Sequence, residues 1–197
     1  MWDEDDPPKG PRDFGEPFNL PNHPVVGVMW YEAVAFCRWL TEQLRGSGYR
    51  FKVRRDGQSE GLNLQLGTCT VRLSSEAEWE KAARGVHGWR YPWGDEPDPN
   101  WVNCGAPGIE TTSAVGCFPS EASPYGVEDL TKNVKEWTRS LYKDYPYDPD
   151  DGREDLNSRN IRVLRGDTLY CAGRGWRYPS ECSWSVGFRV VASPVCL

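Results

Sequence analysis

From Trp89 to Thr131 the chain reads YPWGDEPDPNWVN, APGIETTSAVG and FPSEASPYG in turn, with Pro, Gly or Asn every few residues. Such punctuation breaks both the helical and the strand period. A compact domain keeps so long an irregular stretch only when it has a function or internal ties. The chain is therefore expected to be loop-rich, with aromatic side chains pinning the loops. Ten Trp within 13% aromatic residues supply the pins, and 197 residues is the length of one ordinary domain.

Regular structure is expected on either side of that stretch. In MWYEAVAFCRWLTEQLRG, Trp30, Ala33, Val34, Cys37, Leu40 and Leu44 recur at three and four residues, which predicts a core helix closing at Gly46. VRLSSEAEWEKAARG predicts a strand end, a capping box from Ser75 to Glu78 and a helix stopping at Gly85. RRDGQSEG, between apolar pieces, predicts a hairpin or exposed loop within residues 47–70. Pro24 to Val28 reads as an extended entry, Asp129 to Tyr142 as turns plus a strand, and Ile161–Leu164 and Val186–Val191 as strands. The acidic run Asp144 to Asp155 reads as a solvated loop. Two early helices and short late strands make an α+β chain. Residues 1–24, acidic and proline-rich without apolar period, read as an irregular arm or linker ahead of a domain over 25–197.

A net charge of −6 and a pI near 5.1 argue against nucleic acid, which needs clustered Lys and Arg. No apolar run approaches the length of a membrane span, and no signal peptide is visible. Seven cysteines, an odd number without CxxC spacing, fit free thiols in a reducing compartment, so the expected location is cytoplasmic.

Five ordered blocks, NHPVVGVMWYEAVAFCRWL, VRLSSEAEWEKAARG, YPWGDEPDPNWVN, YGVEDLTKNVKEW and RVLRG through VGFRVV, resemble the formylglycine-generating-enzyme (sulfatase-modifying factor) family. The resemblance implies a C-type-lectin-like α+β fold with two helices and short antiparallel strands. It also implies a strand ahead of the PVVGV block that pairs with the Val186–Val191 strand, so the chain is expected to be the C-terminal part of a longer protein. Copper-dependent oxidases of the family use two cysteines five residues apart in the final segment. Here Cys171 stands at the first position, Trp176 at the second, and Cys182 eleven residues beyond Cys171. An oxidase acting on a peptide cysteine is thus the weaker alternative, and no catalytic residue is assigned. Members that use a histidine cluster for iron are matched even less, with only His23 and His87 present. His23, in the family's own NHP, reads as a turn or packing residue. For a calcium-type ion the resemblance points to Asn103, Asn133, the Val134 carbonyl and Glu136. Lys132 and Lys135 stand beside them and oppose a cation, so loop-tying roles are favoured and no cofactor is required.

Within the family the final segment most resembles the variable proteins of diversity-generating retroelements. These hold a mutated stretch between an RG after one strand and a GFRVV-like strand. On that frame Asp167, Thr168, Leu169, Tyr170, Ala172, Gly173, Gly175, Trp176, Arg177, Tyr178, Ser180, Glu181, Ser183, Trp184 and Ser185 form a ligand-binding surface. Pro179 and Gly187-Phe188-Arg189 are the fixed points, with Phe188 expected in the core. The composition agrees independently. Tyr and Trp give large rigid contact area, while Ser, Gly and Arg give adaptable hydrogen bonding, as in antibody loops. Arg174, Arg177 and Glu181 among the aromatics argue that several of these side chains reach solvent. The competing reading makes Trp176, Tyr178 and Trp184 plugs in a loop-rich core. The expected role is non-catalytic binding of a protein or other macromolecule.

Overall fold

The computed structural model describes residues 10–55, 58–98, 103 and 111–194. Helix α1 spans Trp30–Leu44 and α2 spans Glu76–Arg84. The first turn of α1 is capped by Glu32, whose carboxylate accepts from the Met29 N–H at 2.7 Å. In α2 the Ser75–Glu78 box closes in both directions, at 3.1 and 2.8 Å. Strands β1 (Arg50–Arg55) and β2 (Gln58–Gln65) form a hairpin, the first of the two forms that RRDGQSEG allowed. Strand β3 (Cys69–Leu73) pairs antiparallel with β8 (Val190–Pro194).

The remaining strands are β4 (Lys135–Leu141), β5 (Arg162–Arg165), β6 (Gly175–Arg177) and β7 (Val186–Phe188), ordered β6-β5-β4-β7 in one sheet. This α+β architecture departs from the expected strand pattern in two ways. Strands β4 and β7 run parallel, because the long excursion through β5, β6 and the final loops brings the chain back in the same direction. The run Val186–Val191, expected as one strand, breaks at Arg189. That guanidinium turns to the Glu136 carboxylate at 2.5 and 2.6 Å, so β7 and β8 join different sheets.

The main core gathers Val28, Trp30, Ala33, Cys37, Val71, Leu73, Trp137, Leu164 and Val186 between α1 and the sheets. Both large tryptophans donate to backbone, Trp30 to the Thr138 carbonyl and Trp137 to that of Val28, each at 2.9 Å. A second cluster, Trp79, Ala83, Leu130 and Cys171, lies under α2. Phe188 is only half-buried, packed on the main core with its ring 5.5 Å from Phe36. The tight position of the last strands is Gly187, where an added Cβ would lie 2.6 Å from the Val25 carbonyl oxygen.

Residues 10–24, expected as a linker, are irregular backbone held against the domain. The Arg12 N–H donates to Gly27 at 3.0 Å, Asn22 accepts from Val115 at 2.9 Å, and His23 bonds Thr112 at 2.9 Å.

The irregular stretch does have internal ties. Buried Glu121 accepts from the Asp129 N–H at 2.8 Å and faces the Thr131 hydroxyl at 3.4 Å, while Asp129 accepts from the Gly116 N–H at 2.8 Å. Burial, and then the neighbouring Asp129 carboxylate, push the Glu121 carboxyl up to about 8. A carboxyl raised on folding contributes stability that is complete below its unfolded value and is lost as pH rises through the folded one. Denaturant midpoints of the protein are therefore expected to fall between about pH 5 and about pH 8 and to level off above that. In Glu121→Gln, which keeps the acceptor for Asp129, that decline should flatten.

Candidate ligand-binding surface

The segment after β5 is built on buried anchors. The Arg165 side chain is fully buried over the Trp79 ring, 5.0 Å from its centroid. It reaches Glu80 at 2.8 Å, Glu76 at 3.3 Å and the Cys171 carbonyl at 2.6 Å. Cys171 fills the second core cluster and donates its N–H to Arg90 at 2.9 Å. Arg174 bonds the fully buried Glu76 at 2.5 and 2.9 Å and lies over the Tyr142 and Tyr145 rings. Strand β6 then joins β5, with Trp176 opposite Val163. Buried Pro179 accepts from the Trp30 N–H at 3.1 Å, Ser183 from Gly27 at 3.0 Å and Ser185 from Lys135 at 2.8 Å. The path of the segment is set by main-chain bonds and by Arg165, Cys171, Arg174 and Pro179.

Seven of the residues between those anchors are exposed. Tyr170, Trp176, Tyr178 and Trp184 are 52%, 54%, 53% and 47% exposed. Ala172, Ser180 and Glu181 are exposed as well, and Glu181 folds back to the Tyr178 N–H at 3.2 Å. Asp167, Thr168, Leu169, Gly173, Gly175, Arg177, Ser183 and Ser185 are half-buried. Two of these have packing roles: Asp167 pairs with Lys135 at 2.8 Å, and a Cβ at Gly173 would collide with the Thr168 hydroxyl. Arg174, counted above among residues reaching solvent, is instead the clamp on Glu76.

Aromatic residues from elsewhere in the chain, half-buried Phe18 and Trp93 and buried Tyr91, support these side chains from beneath. Phe18 of the arm meets Trp184 at 5.4 Å, and Tyr170 stacks on Tyr91 at 5.5 Å, which stacks on Trp93 at 5.2 Å. The only trace of them in the sequence is aromatic content, since their proximity comes from loops distant in the chain.

The model of the sulfatase-modifying factor enzyme 1-like domain matches residues 7–194. The chain belongs to this family. The mouse formylglycine-generating enzyme is 26% identical over 87% of the chain and 44% of its own length. The bovine inactive C-alpha-formylglycine-generating enzyme 2 is 33% identical over 73% of the chain and 37% of its own length. The chain thus spans less than half the length of these curated relatives. The solved structure of Treponema denticola variable protein 1 superposes with a TM-score of 0.65 at 25% identity, covering 94% of this chain and 75% of that one. The C-type-lectin-like fold and the likeness to a variable protein both follow.

The positions of family chemistry can be located directly. Burial pushes the Cys171 thiol up to about 12, which disfavours the thiolate that both nucleophilic attack and metal binding require. Five residues on stands exposed Trp176, and Cys182 is half-buried on a separate loop. Cys37, Cys117, Cys171 and Cys182 are free thiols, while Cys104 and Cys196 fall outside the described residues.

The calcium-type set is not brought together. Asn103, Asn133 and Val134 line one cavity, but the Glu136 carboxylate is taken up by Trp79 Nε1 at 2.6 Å and by Arg189. The Asn133 amide accepts from the Ser113 N–H at 3.0 Å and donates to its carbonyl at 3.3 Å. Among the described residues no group of three or more His, Cys, Asp or Glu could hold a metal, and no helix is long and apolar enough to cross a membrane.

Proposed function

We propose that this domain is a non-catalytic binding protein, displaying residues 167–185 on a C-type-lectin scaffold as a variable surface for a protein ligand, in a reducing compartment such as the cytoplasm. One observation carries the reading. The segment is positioned by main-chain bonds and buried anchors, so Trp176, Tyr178, Ser180, Glu181 and Trp184 stand outward where their identity can change without unmaking the fold. Exposed Trp and Tyr on one segment are the residue types that dominate binding hot spots. The likeness to a variable protein supports the same reading.

A display library randomised at these five positions tests it. Most members are expected to fold with melting temperatures within a few degrees of the parent, and different members should be selectable against different proteins. The reading fails if most members do not fold. It also fails if the parent with copper converts a peptide cysteine to an aldehyde in a reaction lost in Cys171→Ala. In the coding DNA, adenine-rich codons at these positions and a near-copy beside a reverse-transcriptase gene are expected.

A further inference from the structure

Beside Trp184, where the segment returns to β4, lies a cavity of about 220 Å³. Its walls include Lys132, Asn133, Lys135, Asp167, Trp184 and Ser185. A pocket for a whole small molecule has roughly 300–1,000 Å³, so this one suits a single side chain. Lys135 is neutralised by Asp167 at 2.8 Å. Lys132 is different: among the described residues its ammonium makes no ion pair or hydrogen bond, yet its backbone holds a φ of +61°, and Asn133 follows at +45°. A left-handed conformation is unfavourable for a lysine and free of strain for glycine. Among the described residues Lys132 therefore carries a conformational cost with no charge partner, and such strain points to a use in binding.

We propose that this cavity is a carboxylate subsite of the binding surface, receiving an Asp or Glu side chain of the protein ligand against Lys132 beneath the rim of Trp184. The inference rests on the binding reading above and adds the chemistry of the ligand. Lys132 and Lys135 against Asp167 leave one net positive charge in a protein whose total is −6. Long-range attraction for an acidic partner is therefore absent, and the contact acts at short range, within the screening length of about 8 Å at physiological salt. It selects register and orientation on the patch and adds little to the encounter rate.

The test is an NMR titration of the protein at constant ionic strength, following the Trp184 indole N–H. The probes are N-acetylglutamate α-amide, its neutral glutamine counterpart and inorganic phosphate. The glutamate probe is expected to give a saturable shift in the millimolar range and the glutamine probe none. Lys132→Gln and Lys132→Gly should each weaken the glutamate response by about two- to fivefold. Lys132→Gly also relieves the backbone, so it keeps the fold while removing the ammonium. The proposal is overturned if both neutral and charged probes shift the resonance alike, or if Lys132→Gly titrates like the parent. Saturation by phosphate at about tenfold lower concentration would also overturn it, by replacing the carboxylate with another anion. None of these outcomes depends on the library. Failure of the library with a positive titration removes the variable surface and leaves the subsite, and the reverse result removes only the subsite.

Discussion

Glu76→Ala is expected to lower stability by about 3–5 kcal/mol, the cost of leaving buried charges uncompensated. Glu76 is fully buried at the start of α2 and takes Arg174 at 2.5 Å, Arg165 at 3.3 Å and the Tyr145 hydroxyl at 3.3 Å. Arg165 keeps Glu80 at 2.8 Å when Glu76 is lost, but among the described residues Arg174 keeps only the Lys143 carbonyl and its two tyrosine rings. Glu76→Gln, which preserves shape and removes charge, should recover only a minor part of the loss. An exposed ion pair would instead cost under about 1 kcal/mol in either variant. Because Arg165 and Arg174 bracket residues 167–173, limited proteolysis is expected to cut there first in Glu76→Ala. Chemical denaturation of both variants is the check, and a loss below about 1 kcal/mol would show that α2 and the final segment are held together by other contacts.

Trp137→Ala should cost about 3–5 kcal/mol, whereas Trp176→Ala and Trp184→Ala should each cost well under that. Trp137 is fully buried in the main core and donates to the Val28 carbonyl, so its loss leaves both a cavity and an unpaired carbonyl. Trp176 and Trp184 are about half exposed, with ring contacts to Tyr178 at 6.5 Å and Phe18 at 5.4 Å. Binding should show the reverse order. Truncating either exposed tryptophan is expected to cost about 2 kcal/mol or more of ligand affinity, as at a hot spot. Thermal melts beside binding isotherms for a selected ligand separate the two. If Trp176→Ala and Trp184→Ala destabilise as severely as Trp137→Ala, they are core plugs and the surface reading fails. Phe188, expected to be a core anchor, is the wrong benchmark, because it is half-buried and packs on Phe36 at the edge of the core.

Both helices were legible because their evidence is local: an apolar period in α1, and a Ser–Glu box with a terminal glycine in α2. The exposed aromatics were legible for a related reason. Trp176, Tyr178 and Trp184 occur among Ser, Gly and Arg with no period that would bury them. The uses of Glu76, Glu136 and Arg174 were not legible. A carboxylate at the first position of a helix reads as a favourable charge near the dipole, and nothing nearby in sequence shows that two arginines, from 89 and 98 residues away, close on it. Glu136 belonged to the calcium-type set that the family resemblance implied, but Arg189, 53 residues on, occupies it.

The chain by itself determined what rests on neighbours within a turn or a strand: α1 and α2, the loop-rich middle and the composition of the display segment. Tertiary structure alone decided the rest. It placed Lys132 and Trp184 on one cavity, packed Phe18 against Trp184 and buried Tyr91 against Tyr170, paired β4 parallel to β7, and made clamps of Arg174 and Arg189. The physical reason is that a charge or an aromatic ring takes its role from whatever lies within a few ångströms of it. In a loop-rich fold those neighbours arrive from positions that carry no periodic signal, and only the closed chain brings them together.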